Sequence, residues 1–163
     1  MPDVSIRPAV QADVPLLLQF INELAEYERL AHEVRATESQ LAATLFGERP
    51  VAEAVIASYV GEPVGFAVFF PSYSTWEARP GLYLEDLFVR PAARGKGIGR
   101  ALLEYLARVT LERGWARFEW RVLDWNEPSI NFYRKLGAEA LDDWTVFRVV
   151  GPALERLAEG GKQ

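Results

Sequence analysis

The chain has 163 residues, half of them hydrophobic and a quarter charged, with a net charge of −5 and no cysteine. A single domain over residues 1–163 is expected to bury a full core, while the lack of thiols excludes disulfides, thiol nucleophiles and cysteine-held metals, and a single histidine, His32, argues for no metal. The acidic balance speaks for a cationic partner and against nucleic acid, and with no apolar run of spanning length and no signal peptide at Met1-Pro2-Asp3 the expectation is a soluble, cytoplasmic protein with no membrane partner.

Residues 4–7 read as a short strand closed by Pro8. Asp13 and Pro15 mark a helix start, and Val14, Leu17, Leu18, Ile21, Leu24 and Ala25 keep a helical apolar stripe. One further turn puts Glu28 on the inward face, an unusual place for an acid. Thr37-Glu38-Ser39-Gln40 resembles a capping box and opens a helix to Phe46. Residues 52–60 and 64–70 read as strands of a hairpin joined at Gly61-Glu62-Pro63.

Residues 82–89 form the next strand, apolar except for Glu85 and Asp86. Alternation places Glu85 with Tyr83 and Leu87 on one face and Asp86 on the other. A basic, glycine-rich loop follows, and then a helix over 98–113 with the stripe Leu102, Tyr105, Leu106 and Val109, stopped by Gly114. Residues 115–123 alternate as a strand, with Arg117, Glu119 and Arg121 on one face and Phe118, Trp120 and Val122 on the other. Asn126 caps a short helix that has Pro128 in its first turn and Gly137 after its end. Strands over 138–141 and 144–150, a closing helix from Pro152 and a disordered tail over 159–163 complete the expectation.

Strand, glycine loop and helix together suit a phosphate: the helix start offers unpaired N–H groups, and glycines let the backbone approach an anion. A P-loop would need Ser or Thr after Gly95-Lys96, but Gly97 stands there. A dinucleotide fingerprint needs a different glycine spacing and a ribose-binding acid. Arg94-x-x-Gly97-x-Gly99 instead resembles the acetyl-coenzyme A loop of the GNAT acyltransferases. With Ile6-Arg7-Pro8-Ala9, Leu24-Ala25-Glu26-Tyr27-Glu28, Tyr83-Leu84-Glu85-Asp86-Leu87-Phe88-Val89 and Trp125-Asn126-Glu127-Pro128-Ser129-Ile130-Asn131-Phe132-Tyr133, the chain is similar to the diamine (spermidine/spermine) and thialysine N-acetyltransferases over nearly its whole length.

The resemblance implies an α/β (α+β) fold: a mixed, mostly antiparallel sheet of about seven strands, helices on both faces, and a parallel pair splayed at the acetyl-CoA site. It implies acetyl-CoA as co-substrate, a small amine as partner, and a homodimer. Leu87, Phe88 and Val89 would pair with the pantetheine. Arg94, Gly95, Lys96, Gly97, Ile98, Gly99 and Arg100 would hold the pyrophosphate, and Asn126, Glu127, Pro128 and Ser129 the thioester end. The family's proton donor falls on Tyr133. Its amine-side residues fall on Tyr27, Glu28, Glu85, Glu119, Trp120 and Arg121, with Asp143 beside them.

The residues suit that chemistry. Freeing the lone pair of an alkyl ammonium at pH 7 costs roughly 4.6 kcal/mol, so a proton acceptor is needed, and with no thiol and one histidine it is a carboxylate, Glu85 first. Arg121 fits a long polycation poorly; it pairs with Glu119 or takes a substrate carboxylate, which admits an amino-acid-like amine. Two alternatives remain open at this point: a non-catalytic acyl-CoA sensor, and an acetyltransferase of protein N-termini or lysines, which needs an open groove.

Overall fold

The computed structural model describes residues 3–160. The chain forms two compact units, Met1–Leu123 and Asp124–Gln163. The first carries the strands β1 (Val4–Pro8), β2 (Glu53–Tyr59), β3 (Glu62–Ser74), β4 (Arg79–Val89) and β5 (Phe118–Trp120), with helices α1 (Val14–Tyr27), α2 (Glu38–Phe46) and α3 (Ile98–Glu112). The second carries α4 (Glu127–Lys135) and α5 (Gly151–Ala158).

The five strands make one sheet in the order β1-β2-β3-β4-β5. The first four pair antiparallel and β5 runs parallel to β4, reached through α3. Tyr59 faces Glu62 across the hairpin, so the turn is Val60-Gly61, one residue earlier than the sequence suggests. Both turn residues have positive φ, 48° and 82°, the two-residue geometry whose twist matches that of the strands. The capping box of α2 forms as read: Thr37 Oγ1 accepts from the Gln40 amide at 3.2 Å, and Gln40 Oε1 accepts from the Thr37 amide at 3.0 Å.

Ala54, Val55, Ile56 and Ala57 are buried in succession, so both faces of the sheet are covered. On one face Ala54, Ile56, Phe66 and Phe88 pack with Leu17, Phe20 and Leu24 of α1 and Leu45 of α2. The Phe20 and Phe66 rings stack at 5.4 Å. Helix α3 packs along β1 to β4 and buries Leu102, Leu103 and Leu106. Each such side chain contributes roughly 1.5–3 kcal/mol.

Four expectations are corrected. The sheet has five strands, not about seven. Residues 138–141 and 144–150 form no strand: they enter no ladder, and Trp144 and Phe147 are 74% and 91% exposed. A strand is a pairing, and aromatic and β-branched composition does not make one without a partner edge. β5 keeps three residues rather than the run from 115 to 123. The helical stripes shift too: Phe20 is fully buried in α1, and Leu103 and Thr110 are buried in α3 where Tyr105 and Val109 are only half-buried. The expected disordered tail falls partly outside the described residues, at 161–163.

Candidate active site

Strand β4 carries the site, and its irregularity shapes it. Val68 of β3 pairs with Asp86, and the next residue, Phe69, pairs with Leu84. Glu85 is therefore an extra residue, a β-bulge, and the simple alternation breaks there. Tyr83 lies opposite Phe70, with the two rings 5.2 Å apart, and Asp86 lies opposite Val68, which packs on the α1–α2 cluster. Asp86 and Tyr83 thus share the α1 face, contrary to the reading that put them on opposite faces. Glu85 bulges from the strand and is exposed.

Parallel pairing with β5 stops at the same point. Leu82, Tyr83 and Leu84 meet Phe118, Glu119 and Trp120, and no further rung follows. Beyond it the two strands part, and Glu85 and Arg121 are the first residues past the last rung. Their side chains meet across the gap, with Arg121 Nη2 3.6 Å from Glu85 Oε1. The arginine's ion pair is therefore with Glu85, where the sequence offers Glu119. Glu119 faces Tyr83 in register, and its neighbour Trp120 holds its ring 4.9 Å from that of Phe118.

Glu28 enters this face as the C-cap of α1, with its amide bonded to the Leu24 carbonyl at 2.9 Å. Burial pushes its carboxyl above the usual carboxylate range, and Arg121 draws it back. Asp86 is pushed up to about 6, first by burial and then by the charges of Glu85 and Glu28, with Arg121 opposing. A strongly perturbed carboxylate in such company makes Asp86 a candidate for the site. Only the unusual Glu85-Asp86 pair in an apolar strand hinted at Asp86, and sequence reasoning did not include it among the site residues.

Past Leu84, the edge of β4 that faces β5 has no ladder partner among the described residues. Arg90 anchors the strand's end. Its guanidinium donates to both Glu23 carboxylate oxygens, at 3.0 and 3.3 Å from Nε, and lies 4.6 Å over the Phe20 ring. Arg94 Nε donates to the Val89 carbonyl at 2.9 Å, and its guanidinium lies 4.7 Å from the Tyr27 ring.

The glycine loop is built for an anion. Gly95 and Gly97 both have φ of +79°, a left-handed conformation that side chains rarely adopt, and both sit beside open space. Gly97 is the N-cap of α3 and supplies no side-chain cap, so the helix's first amides have no side-chain acceptor from it. Arg94, Lys96 and Arg100 stand exposed around the loop, and buried Ile98 fixes the helix start beneath it. Gly99 is the loop's last glycine, at the start of α3. A diphosphate fits this donor set.

In the second unit Asn126 is buried and caps α4, accepting from the Ser129 amide at 3.4 Å. Glu127 and Pro128 occupy the first two helical positions and are exposed. Tyr133 is half-buried one turn on, its ring 5.7 Å from that of Phe132. Asp143 lies in an exposed turn. No cluster of three or more His, Asp or Glu side chains able to hold a metal occurs among the described residues, and no helix is long and apolar enough to cross a membrane.

A parallel pair that ends early, with the longer strand running into a helix start suited to a phosphate, is what a coenzyme A-dependent acyltransferase needs. Residues 17–138 match the Acetyltransferase (GNAT) family, and the chain belongs to it. The thialysine N-epsilon-acetyltransferase of Sus scrofa is 40% identical over 97% of this chain and 99% of its own length. The L-ornithine N5-acetyltransferase of Arabidopsis thaliana is 32% identical over 93% of this chain and 86% of its own. Among solved structures, an integron cassette protein from the mobile metagenome of V. cholerae superposes with a TM-score of 0.79, at 28% identity, over 97% of this chain and 99% of the other. The chain is thus an N-acetyltransferase of amines, and its family implies acetyl-CoA as co-substrate.

Proposed function

We propose that residues 1–163 act as one acetyltransferase domain that transfers acetyl directly from acetyl-CoA to the primary amine of a small cation, either a diamine or polyamine or a thialysine-like amino acid. The observation that carries this reading is the bulge that sets Glu85 and Asp86 where β4 and β5 part, immediately before the strand enters the glycine cradle. The backbone of Leu87, Phe88 and Val89, at the edge without a strand partner, would pair with the pantetheine amides. Arg94 to Arg100 would hold the pyrophosphate, and Asn126 to Ser129 would line the thioester end.

The carboxylates on the α1 face attract the substrate ammonium. Glu85, directly or through water, takes the proton whose removal costs roughly 4.6 kcal/mol at pH 7. The free amine then attacks the thioester carbonyl; the C–N bond forms, the C–S bond breaks, and the second amine proton passes to the released thiolate, directly or through water. Tyr133 donates a hydrogen bond to the departing sulfur. Full proton transfer from a phenol (about 10) to a thiolate (about 8.5) is uphill by roughly 2 kcal/mol, so the hydrogen bond is its main contribution. Tyr27, Glu28, Glu119, Trp120, Arg121 and Asp143 would bind the substrate, Arg121 through a carboxylate where the substrate has one.

Thialysine and L-ornithine, for which the relatives are named, favour a free small molecule over a protein amine. The apolar side chains exposed over 144–150 support a homodimer, in which a second copy covers them. Thiol release from acetyl-CoA, measured with diamines, polyamines, lysine and thialysine, tests the reading. Turnover with at least one supports it. Binding of coenzyme A without turnover of any, or acetylation of peptides alone, overturns it. Sedimentation at micromolar concentration tests the dimer.

A further inference from the structure

We propose that Tyr59, the last residue of β2, is a positioning residue for Lys96, so that the β2–β3 hairpin serves the coenzyme site although it supplies no group to the ligand. The proposal rests on the reading above that places the coenzyme's diphosphate at Arg94 to Arg100.

The three cations of the glycine loop are held in three ways. Arg94 Nε donates to the Val89 carbonyl at 2.9 Å, and Arg100 Nε donates to Glu104 Oε1 at 2.8 Å. Lys96 has no hydrogen bond or ion pair among the described residues; its ammonium instead lies 5.2 Å from the centre of the Tyr59 ring. That distance is within reach of a cation–π attraction. The Glu104 carboxylate offsets the charge of Arg100, whereas a neutral ring leaves the charge of Lys96 whole for an anion.

Lys96 also needs such a hold more than its neighbours do. It stands between Gly95 and Gly97, both left-handed and both beside open space, so the adjoining residues do nothing to direct it. A loose lysine side chain carries rotamer freedom that is lost when it grips a phosphate. A ring that already restricts it leaves less to lose on binding. The ring itself is well fixed. Tyr59 is half-buried and lies between two strands, opposite Val4 of β1 and Glu62 of β3, at the mouth of the two-residue turn. The same hairpin is tied to the entry of the loop, where the Arg90 amide donates to the Val64 carbonyl at 2.8 Å and Arg90 Nη1 to the Pro63 carbonyl at 3.3 Å. Hairpin and loop are therefore joined twice, through Arg90 and through the Tyr59–Lys96 contact.

Calorimetry of coenzyme A binding to the full chain tests this, in the wild type, Tyr59→Phe, Tyr59→Leu, Lys96→Met and the double variant Tyr59→Leu with Lys96→Met. Tyr59→Leu, which keeps an apolar side chain and removes the ring, should raise Kd about 2- to 5-fold, the worth of a solvated cation–π contact. Tyr59→Phe should stay within twofold of the wild type. Lys96→Met should raise Kd about tenfold, the lower end for a hydrogen bond to a charged group, and adding Tyr59→Leu to it should cost nothing further. Wild-type affinity in Tyr59→Leu overturns the proposal, as does a loss in Tyr59→Phe equal to that in Tyr59→Leu. A Tyr59→Leu loss that persists undiminished beside Lys96→Met overturns it too, because the ring then acts through the hairpin's structure. Each of these leaves the diphosphate reading intact. Wild-type affinity in Lys96→Met overturns the proposal together with the placing of the diphosphate against Lys96.

Discussion

The two ends of β4 work by different means. Toward its C-terminal end, Leu87 to Val89 and the following loop present main-chain amides and two glycines in left-handed geometry, and side chains are secondary. Immediately before them, at the bulge, the groups proposed to act are side chains: Glu85, Asp86 and, across the gap, Arg121. A backbone site is written in the positions of glycine and in the polarity of a loop. A side-chain site is written in strand register, and a single unpaired residue redirects everything after it.

That contrast can be broken at either end, and the largest effect is expected at Glu85. Glu85→Gln keeps the shape of the bulge and removes the proposed base; kcat should fall by about 10²- to 10⁴-fold with acetyl-CoA binding retained, as steady-state kinetics and calorimetry would show. A wild-type kcat in this variant would transfer the role to its neighbour.

Asp86→Asn separates activity from stability. The native state holds the carboxyl at about 6, against an ordinary 3.8, so it favours the protonated form. Ionised Asp86 therefore destabilises the fold above pH 6, and the penalty vanishes below about pH 4. The variant should be more stable than the wild type by up to roughly 3 kcal/mol at pH 8, and the gap should close as the pH falls from 6 to 4. Denaturation at three pH values reads it, and a gap that widens in acid would reverse the assignment.

Gly97→Val attacks the backbone end. A β-branched residue at φ +79° costs roughly 1–2 kcal/mol, so KM for acetyl-CoA should rise about tenfold while amine selectivity stays the same. Thr37→Ala, remote from both ends, removes the cap of α2 and should cost about 1 kcal/mol of stability with no kinetic change.

The same contrast explains what the sequence reveals. The capping box at Thr37, the glycine stop of α3, the Asn126 cap and the anion cradle are local devices, and each is visible in a few neighbouring residues. Phe20 was not placed in the stripe of α1, yet it fills the centre of the core, because its partner Phe66 lies far along the chain. The bulge is a relation between Val68 and Phe69 on one strand and Leu84 and Asp86 on the next, and no stretch of either strand announces it. Residues 144–150 have strand-like composition and remain outside the sheet, since composition does not supply a neighbouring edge.

The unpaired position on β4 also leaves the strand one residue longer than its ladder requires. Every hydrogen-bonded rung to β3 on either side of Glu85 is already in place without it. A gene lacking that one codon would thus encode a chain able to close the same sheet, with Leu84 and Asp86 as consecutive rungs. Such a protein would keep its architecture and lose the carboxylate proposed as its base, so a single indel of this kind would be a short route to an inert relative.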